Sequence, residues 1–105
     1  MQRFRLEYVP FPADLRGVTG LIGEKAGRYV ILIDSNQDSD TQKHALRHEL
    51  AHLAYNHMEF ARTPSEAIAS ADLFPPGWEQ RERDADRYAD TMTDEEFLML
   101  MKYAI

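Results

Sequence analysis

The sequence predicts an α+β fold: a small N-terminal antiparallel sheet, then a long helix, a second, charged helix and a C-terminal helix. Three observations give this class. Strand-like apolar patterns occupy the chain up to Ile33, helical apolar spacing takes over from Thr41, and the order is strands first, helices after.

In residues 4–9, Phe4-Arg5-Leu6-Glu7-Tyr8-Val9, apolar and polar side chains alternate, as in a half-buried strand. Pro10 and Pro12 end it, because neither can donate to a ladder. After a turn-prone stretch at 12–17, the runs 18–22 and 28–33 flank Gly23-Glu24-Lys25-Ala26-Gly27, which predicts a hairpin with a glycine-bearing loop. Residues 34–40 are polar and supply several N-cap candidates. A long helix is expected over 41–57, with Leu46, Leu50 and Leu53 on its apolar face. From 58 to 78 the pattern is mixed: 65–71 suits a short helix and Pro75-Pro76-Gly77 forces a break. Residues 79–92 predict a charged helix with Ala85, Tyr88, Ala89 and Met92 on one stripe. Thr93 and Glu96 have the spacing of a capping box, and Phe97, Leu98, Leu100, Met101 and Ile105 follow as a terminal amphipathic helix.

Composition narrows the function classes. No repeat, low-complexity tract or linker divides the 105 residues, so one domain over 1–105 is expected. Without cysteine, neither a disulfide nor a Cys-ligated zinc site is possible. A formal charge of −6 opposes binding to nucleic acid or an anionic membrane surface, since such affinity comes largely from Lys and Arg meeting phosphates. The first 21 residues hold no apolar run suited to a signal peptide or a bilayer span, and the expected location is the cytoplasm.

The chemistry sits at His48-Glu49-Leu50-Ala51-His52, an H-E-x-x-H pattern. On a helix, residues four apart stack one above the other, so both imidazoles can share one metal ion. Glu49 lies about 100° around the helix from His48, beside the ion, where a general base must be. The leucines take the opposite side. With four His and nine Glu in the chain, chance would produce this pattern roughly once in a hundred such sequences.

A catalytic zinc needs a third protein ligand and an open position. His57 falls about 180° from His48 on a continuing helix, on the leucine side, and reads as a helix-end residue. His44 is one turn before His48 and reads as an exposed helical histidine. Glu82 and Asp86 share one face of the next helix, which suits one carboxylate on the metal and another holding a ligand histidine's far N–H. The rival reading is a solvated helix, since seven of the nine residues 79–87 are charged. For the tetrahedral oxyanion, Tyr55, Tyr88, His44 and His57 are the available donors.

The arrangement resembles the ImmA/IrrE-type zinc metallopeptidases, whose pattern pairs H-E-x-x-H with E-x-x-A-[ND]-x-[FY]-A on the next helix. Here these read His48-Glu49-x-x-His52 and Glu82-x-x-Ala85-Asp86-x-Tyr88-Ala89. The chain departs from the family pattern at Ala51, often glycine there, and at Asp90-Thr91-Met92-Thr93, commonly Leu-Leu-Met-Pro. The resemblance implies a minimal zincin-like domain with His48, His52 and Glu82 on zinc and Glu49 catalytic. It also implies a zinc endopeptidase that cleaves a helix-turn-helix repressor encoded by a phage or mobile element. The rival from another class is a metal-stabilised antirepressor that sequesters its partner uncut; retention of Glu49 favours chemistry, because a structural site needs no base.

Overall fold

The computed structural model describes residues 2–13, 15, 17–54 and 78–105, with the backbone alone at Trp78. Three strands, β1 (Phe4–Val9), β2 (Gly20–Lys25) and β3 (Arg28–Asp34), precede three helices, α1 (Ser39–Ala54), α2 (Trp78–Thr91) and α3 (Asp94–Met101). None of these helices is long and apolar enough to cross a membrane. The expected segments at 65–71 and 75–77 lie outside the described residues, as do the last three residues of the helix expected over 41–57.

The sheet is mixed rather than antiparallel, which corrects the expectation. Its order is β1-β3-β2: β3 pairs antiparallel with β2, Gly20 opposite Ile33, and parallel with β1, Phe4 opposite Tyr29. The reason lies in β3, where Val30, Ile31, Leu32 and Ile33 are all buried. A strand apolar on both faces must sit in the middle, so β1 takes the edge that β2 leaves open. Ile31 and Ile33 face the helices with Phe4, Leu46, Leu50 and Leu53, while Val30 and Leu32 pack with Phe11 and Leu21 on the other face.

Residues 10–19 therefore carry the chain past the end of β3, and Asp34 pins that passage. Its buried carboxylate accepts hydrogen bonds from the Phe11 and Asn36 backbone N–H groups, both at 3.1 Å, and from Gln37 Nε2 at 2.9 Å. Burial opposes its ionisation, but the donors of Gln37, Asn36 and Phe11 outweigh it and hold the carboxyl below its ordinary range. The Asp34 N–H also donates to the Thr19 carbonyl and the Ser35 N–H to that of Val9, both at 2.9 Å.

The β2–β3 loop is tighter than the expected five residues. The strands run to Lys25 and from Arg28, leaving Ala26 and Gly27 at φ 53° and 77°. Two positive φ values in a two-residue loop match the twist of the flanking strands. Helix α1 starts where Asp38 accepts from the Thr41 N–H at 2.7 Å, a cap that places its first turn slightly ahead of the expected start.

Helix α2 begins and ends one residue before its expected bounds, and Ala85, Ala89 and Met92 are buried along the anticipated stripe, with Tyr88 half-buried. The capping box forms: the Glu96 N–H donates to Thr93 Oγ1 at 3.1 Å and the Thr93 N–H to Glu96 Oε1 at 3.3 Å. Phe97, Leu100 and Met101 pack on the core, whereas Leu98 and Ile105, expected on the same apolar face, are 64% and 57% exposed. Leu98 follows Phe97 by about 100° of helix and so turns outward. Ile105 lies past the helix, where its N–H donates to the Phe4 carbonyl at 2.8 Å and Ala104 bridges Phe4 in parallel. The start of β1 is thereby covered, while the outer edge of β2 has no strand partner among the described residues.

Ala26 is the one strained position in this hairpin, because an L residue with a Cβ pays on the order of 1 kcal/mol in the left-handed region. Ala26→Asn is expected to stabilise the fold by about 0.5–1 kcal/mol, read by urea denaturation with an unchanged slope. An unchanged or lower midpoint would show that the turn is not under this strain.

Candidate metal centre

His48, Glu49 and His52 sit on the C-terminal half of α1, whose leucines anchor the helix on the sheet. His48 Nε2 and His52 Nε2 lie 3.2 Å apart, with ring planes at 78°. Glu82 reaches across from α2: Oε2 is 2.9 Å from His48 Nε2 and Oε1 is 2.8 Å from His52 Nε2. The buried side chains that follow Glu82 on α2, Ala85 and Ala89, are small, which favours close approach of the helices. These three residues form a group able to hold one metal ion. Ligand atoms about 2.0–2.1 Å from a tetrahedral zinc stand about 3.3 Å apart, so the site needs to open by only a few tenths of an ångström. Two imidazoles and a carboxylate are also a donor set that zinc accepts in catalytic sites.

Asp86, one turn beyond Glu82, places Oδ1 2.6 Å from His48 Nδ1. Both ring nitrogens of His48 thus meet carboxylates, and both can donate only as an imidazolium. Burial works against that charge, but the Glu82 hydrogen bond, the Glu49 and Glu82 charges and Asp86 raise the His48 pKa to about 9. On Glu82 burial acts upward, and the hydrogen bonds and charges of the two imidazoles bring its pKa down to about 2. A bound ion would take the place of the proton on Nε2 and leave the Nδ1–H donating to Asp86.

Glu49 is 5% exposed. Burial raises its pKa, the two imidazoles pull it down, and Glu82 and Asp86 push it up again, with a net upward shift. Its stem lies against the first residue of β2. A Cβ added at Gly20 would stand 3.3 Å from Glu49 Cγ, 3.3 Å from Ala45 Cβ and 3.2 Å from Ile33 Cδ1. Gly20 thus borders the Glu49 stem, a contact that no motif marks, although a glycine within a strand run signals close approach of another segment.

The other expected residues fall as follows. His44 is half-exposed, its Nε2 3.6 Å from Asp86 Oδ1 and its Nδ1 3.8 Å from Asp90 Oδ1. Tyr88 brings its hydroxyl within 3.5 Å of Glu96 Oε2 on α3. Tyr55 and His57 lie outside the described residues.

The family model of peptidase M78, described as an IrrE N-terminal-like domain, matches residues 4–103. No curated protein and no solved structure matches the chain.

Two outcomes follow from the geometry. In metal-stripped protein the raised His48 pKa gives a contribution complete below about 6.5 and lost as pH rises through about 9. The lowered Glu82 pKa gives one complete above about 4.5 and lost as pH falls through about 2. Thermal unfolding should therefore show this pair's full contribution between pH 4.5 and 6.5, with Glu82→Gln flattening both limbs; equal profiles for the two proteins would contradict the pairing. Asp86→Ala should weaken metal affinity by about 10- to 100-fold in chelator competition, because the His48 ring loses its orienting acceptor. Asp84, which accepts from Gln80 on its own helix, is the control: Asp84→Ala should bind metal as the wild type does, and identical losses in both variants would remove Asp86 from the site.

Proposed function

The chain belongs to the peptidase M78 family of IrrE N-terminal-like domains, and on that premise we propose that it is a zinc-dependent endopeptidase acting on a cytoplasmic protein. The observation that carries this reading is the convergence of His48, His52 and Glu82 from two helices with the buried carboxyl of Glu49 beside them. Zinc, when bound, supplies the Lewis acidity that acidifies a water and polarises the scissile carbonyl. Glu49 takes the proton of the attacking water and passes it to the departing amine. Its raised pKa makes it a stronger base than an ordinary carboxylate and a ready donor in the second step. Asp86 keeps the His48 ring in one tautomer throughout, and Gly20 leaves room for the Glu49 stem.

Among the described residues the outer edge of β2 has no strand partner, and this supports a route for the substrate. Gly20 begins that strand and touches the Glu49 stem, so a peptide added alongside β2 would pass next to the base. Main-chain pairing of this kind is sequence-tolerant, and selectivity would come from docking a folded partner. The resemblance of the two helical motifs supports a helix-turn-helix repressor as that partner. The oxyanion donors proposed are Tyr55 and Tyr88, the latter with its hydroxyl directed to Glu96 on α3.

Purified protein is expected to hold about one zinc per chain. Glu49→Gln should keep the fold and the zinc while abolishing cleavage of the partner repressor, seen as loss of fragments on a gel and loss of derepression in cells. Full derepression by Glu49→Gln with the repressor intact would replace the peptidase reading with sequestration.

A further inference from the structure

Arg47 precedes His48 on α1, yet its guanidinium runs to the far end of α2. Nη1 donates to the Met92 carbonyl at 2.8 Å, Nη2 donates to Asp94 Oδ1 at 2.9 Å, and Cζ stands 5.0 Å from the centroid of the Phe97 ring. One planar group thus holds the residue just past α2, the first residue of α3 and an aromatic ring of α3. The Met92 carbonyl lies where a helix leaves acceptors without intrahelical donors, and a cation is favoured there. Asp94 is 93% exposed at its side chain, so the ion pair alone contributes little. The carbonyl contact and the ring face are what distinguish Arg47 from a surface cation.

The metal group is divided between helices, with His48 and His52 on α1 and Glu82 on α2. Its shape depends on how far α2 has slid or rolled against α1. Glu82 and Met92 are separated by about 15 Å of helix at 1.5 Å per residue. A helix held at both ends of that span keeps its register; one held only at Glu82 does not. We propose that Arg47 is a positioning residue for the metal centre: by fixing the α2–α3 junction to α1, it sets Glu82 and Asp86 opposite His48 and His52 before an ion arrives. This inference rests on the metal-binding reading of the site and not on proteolysis.

The test uses the full chain. Arg47→Met keeps the stem and removes the donors, and Arg47→Lys keeps the charge but cannot reach both acceptors with a planar fork. Leu100→Ala, which trims α3 packing away from the junction, serves as a comparator that lowers stability alone. Zinc affinity is read by chelator competition at a temperature where each protein is folded, and amide exchange of α2 is read in metal-stripped protein. Both Arg47 variants should bind zinc about 10-fold more weakly, as when the binding-competent population falls to about a tenth. Stoichiometry should be unchanged and exchange across 82–91 faster. Leu100→Ala should lower the Tm while binding zinc as the wild type does. Wild-type affinity in either folded Arg47 variant, or an equal loss in Leu100→Ala, overturns the proposal; if Arg47→Met does not fold, Arg47→Lys decides it. A wild-type chain that takes up no zinc would refute the proposed function instead, and α2 exchange would then decide whether Arg47 sets that helix: unchanged protection overturns it, faster exchange upholds it.

Discussion

Two imidazoles bring their Nε2 atoms within 3.2 Å of each other, and the Glu82 carboxylate reaches across from α2 to meet both. Each oxygen takes one ring, so neither histidine can turn away without breaking a charge-assisted contact. The demand then passes to the backbone. A glutamate reaches a neighbouring helix at this range only where the helices are close, and α2 buries only the small side chains of Ala85 and Ala89 along its length beyond Glu82. The departure from glycine at Ala51 is accommodated, since its methyl is wholly buried.

The sheet serves the same site from below. Ile31 and Ile33 give α1 an apolar floor, and Gly20 brings the start of β2 against Ala45 and Glu49. Asp34 secures the passage of residues 10–19 that delivers Gly20 to that position. This buried carboxylate is thus tied to the metal group by chain geometry, because the segment it pins is the one that leads into β2. The remaining edges are treated differently: the C-terminal residues cover the start of β1, while the outer edge of β2, beside the base, has no strand partner among the described residues.

Charge is apportioned with equal consequence. Glu82, Asp86 and Glu49 surround two imidazoles, and the three carboxyls have distinct surroundings. Glu82 is held strongly anionic by both rings, while Glu49, buried against Gly20 and Ala45, has its pKa raised. Asp86 is over half exposed and keeps contact with His48 Nδ1. A difference of environment among like groups is what separates a ligand from a base.

The sequence alone determined what depends on a few neighbouring residues. The i, i+4 spacing of His48 and His52 put both rings on one side, the leucines set the buried face of α1, and Thr93 with Glu96 started α3. The paired motifs were enough to indicate the family that residues 4–103 match. Tertiary structure decided what depends on contacts between distant segments. It placed β1 parallel to β3, a choice no local alternation can carry. It divided the roles open to Glu82 and Asp86, one carboxylate meeting both Nε2 atoms and the other the Nδ1 of His48. It turned Leu98 and Ile105 outward and gave Gly20 and Arg47 their partners. Periodicity is written within one helical turn or one pleat, whereas register between elements is fixed only when side chains from both meet.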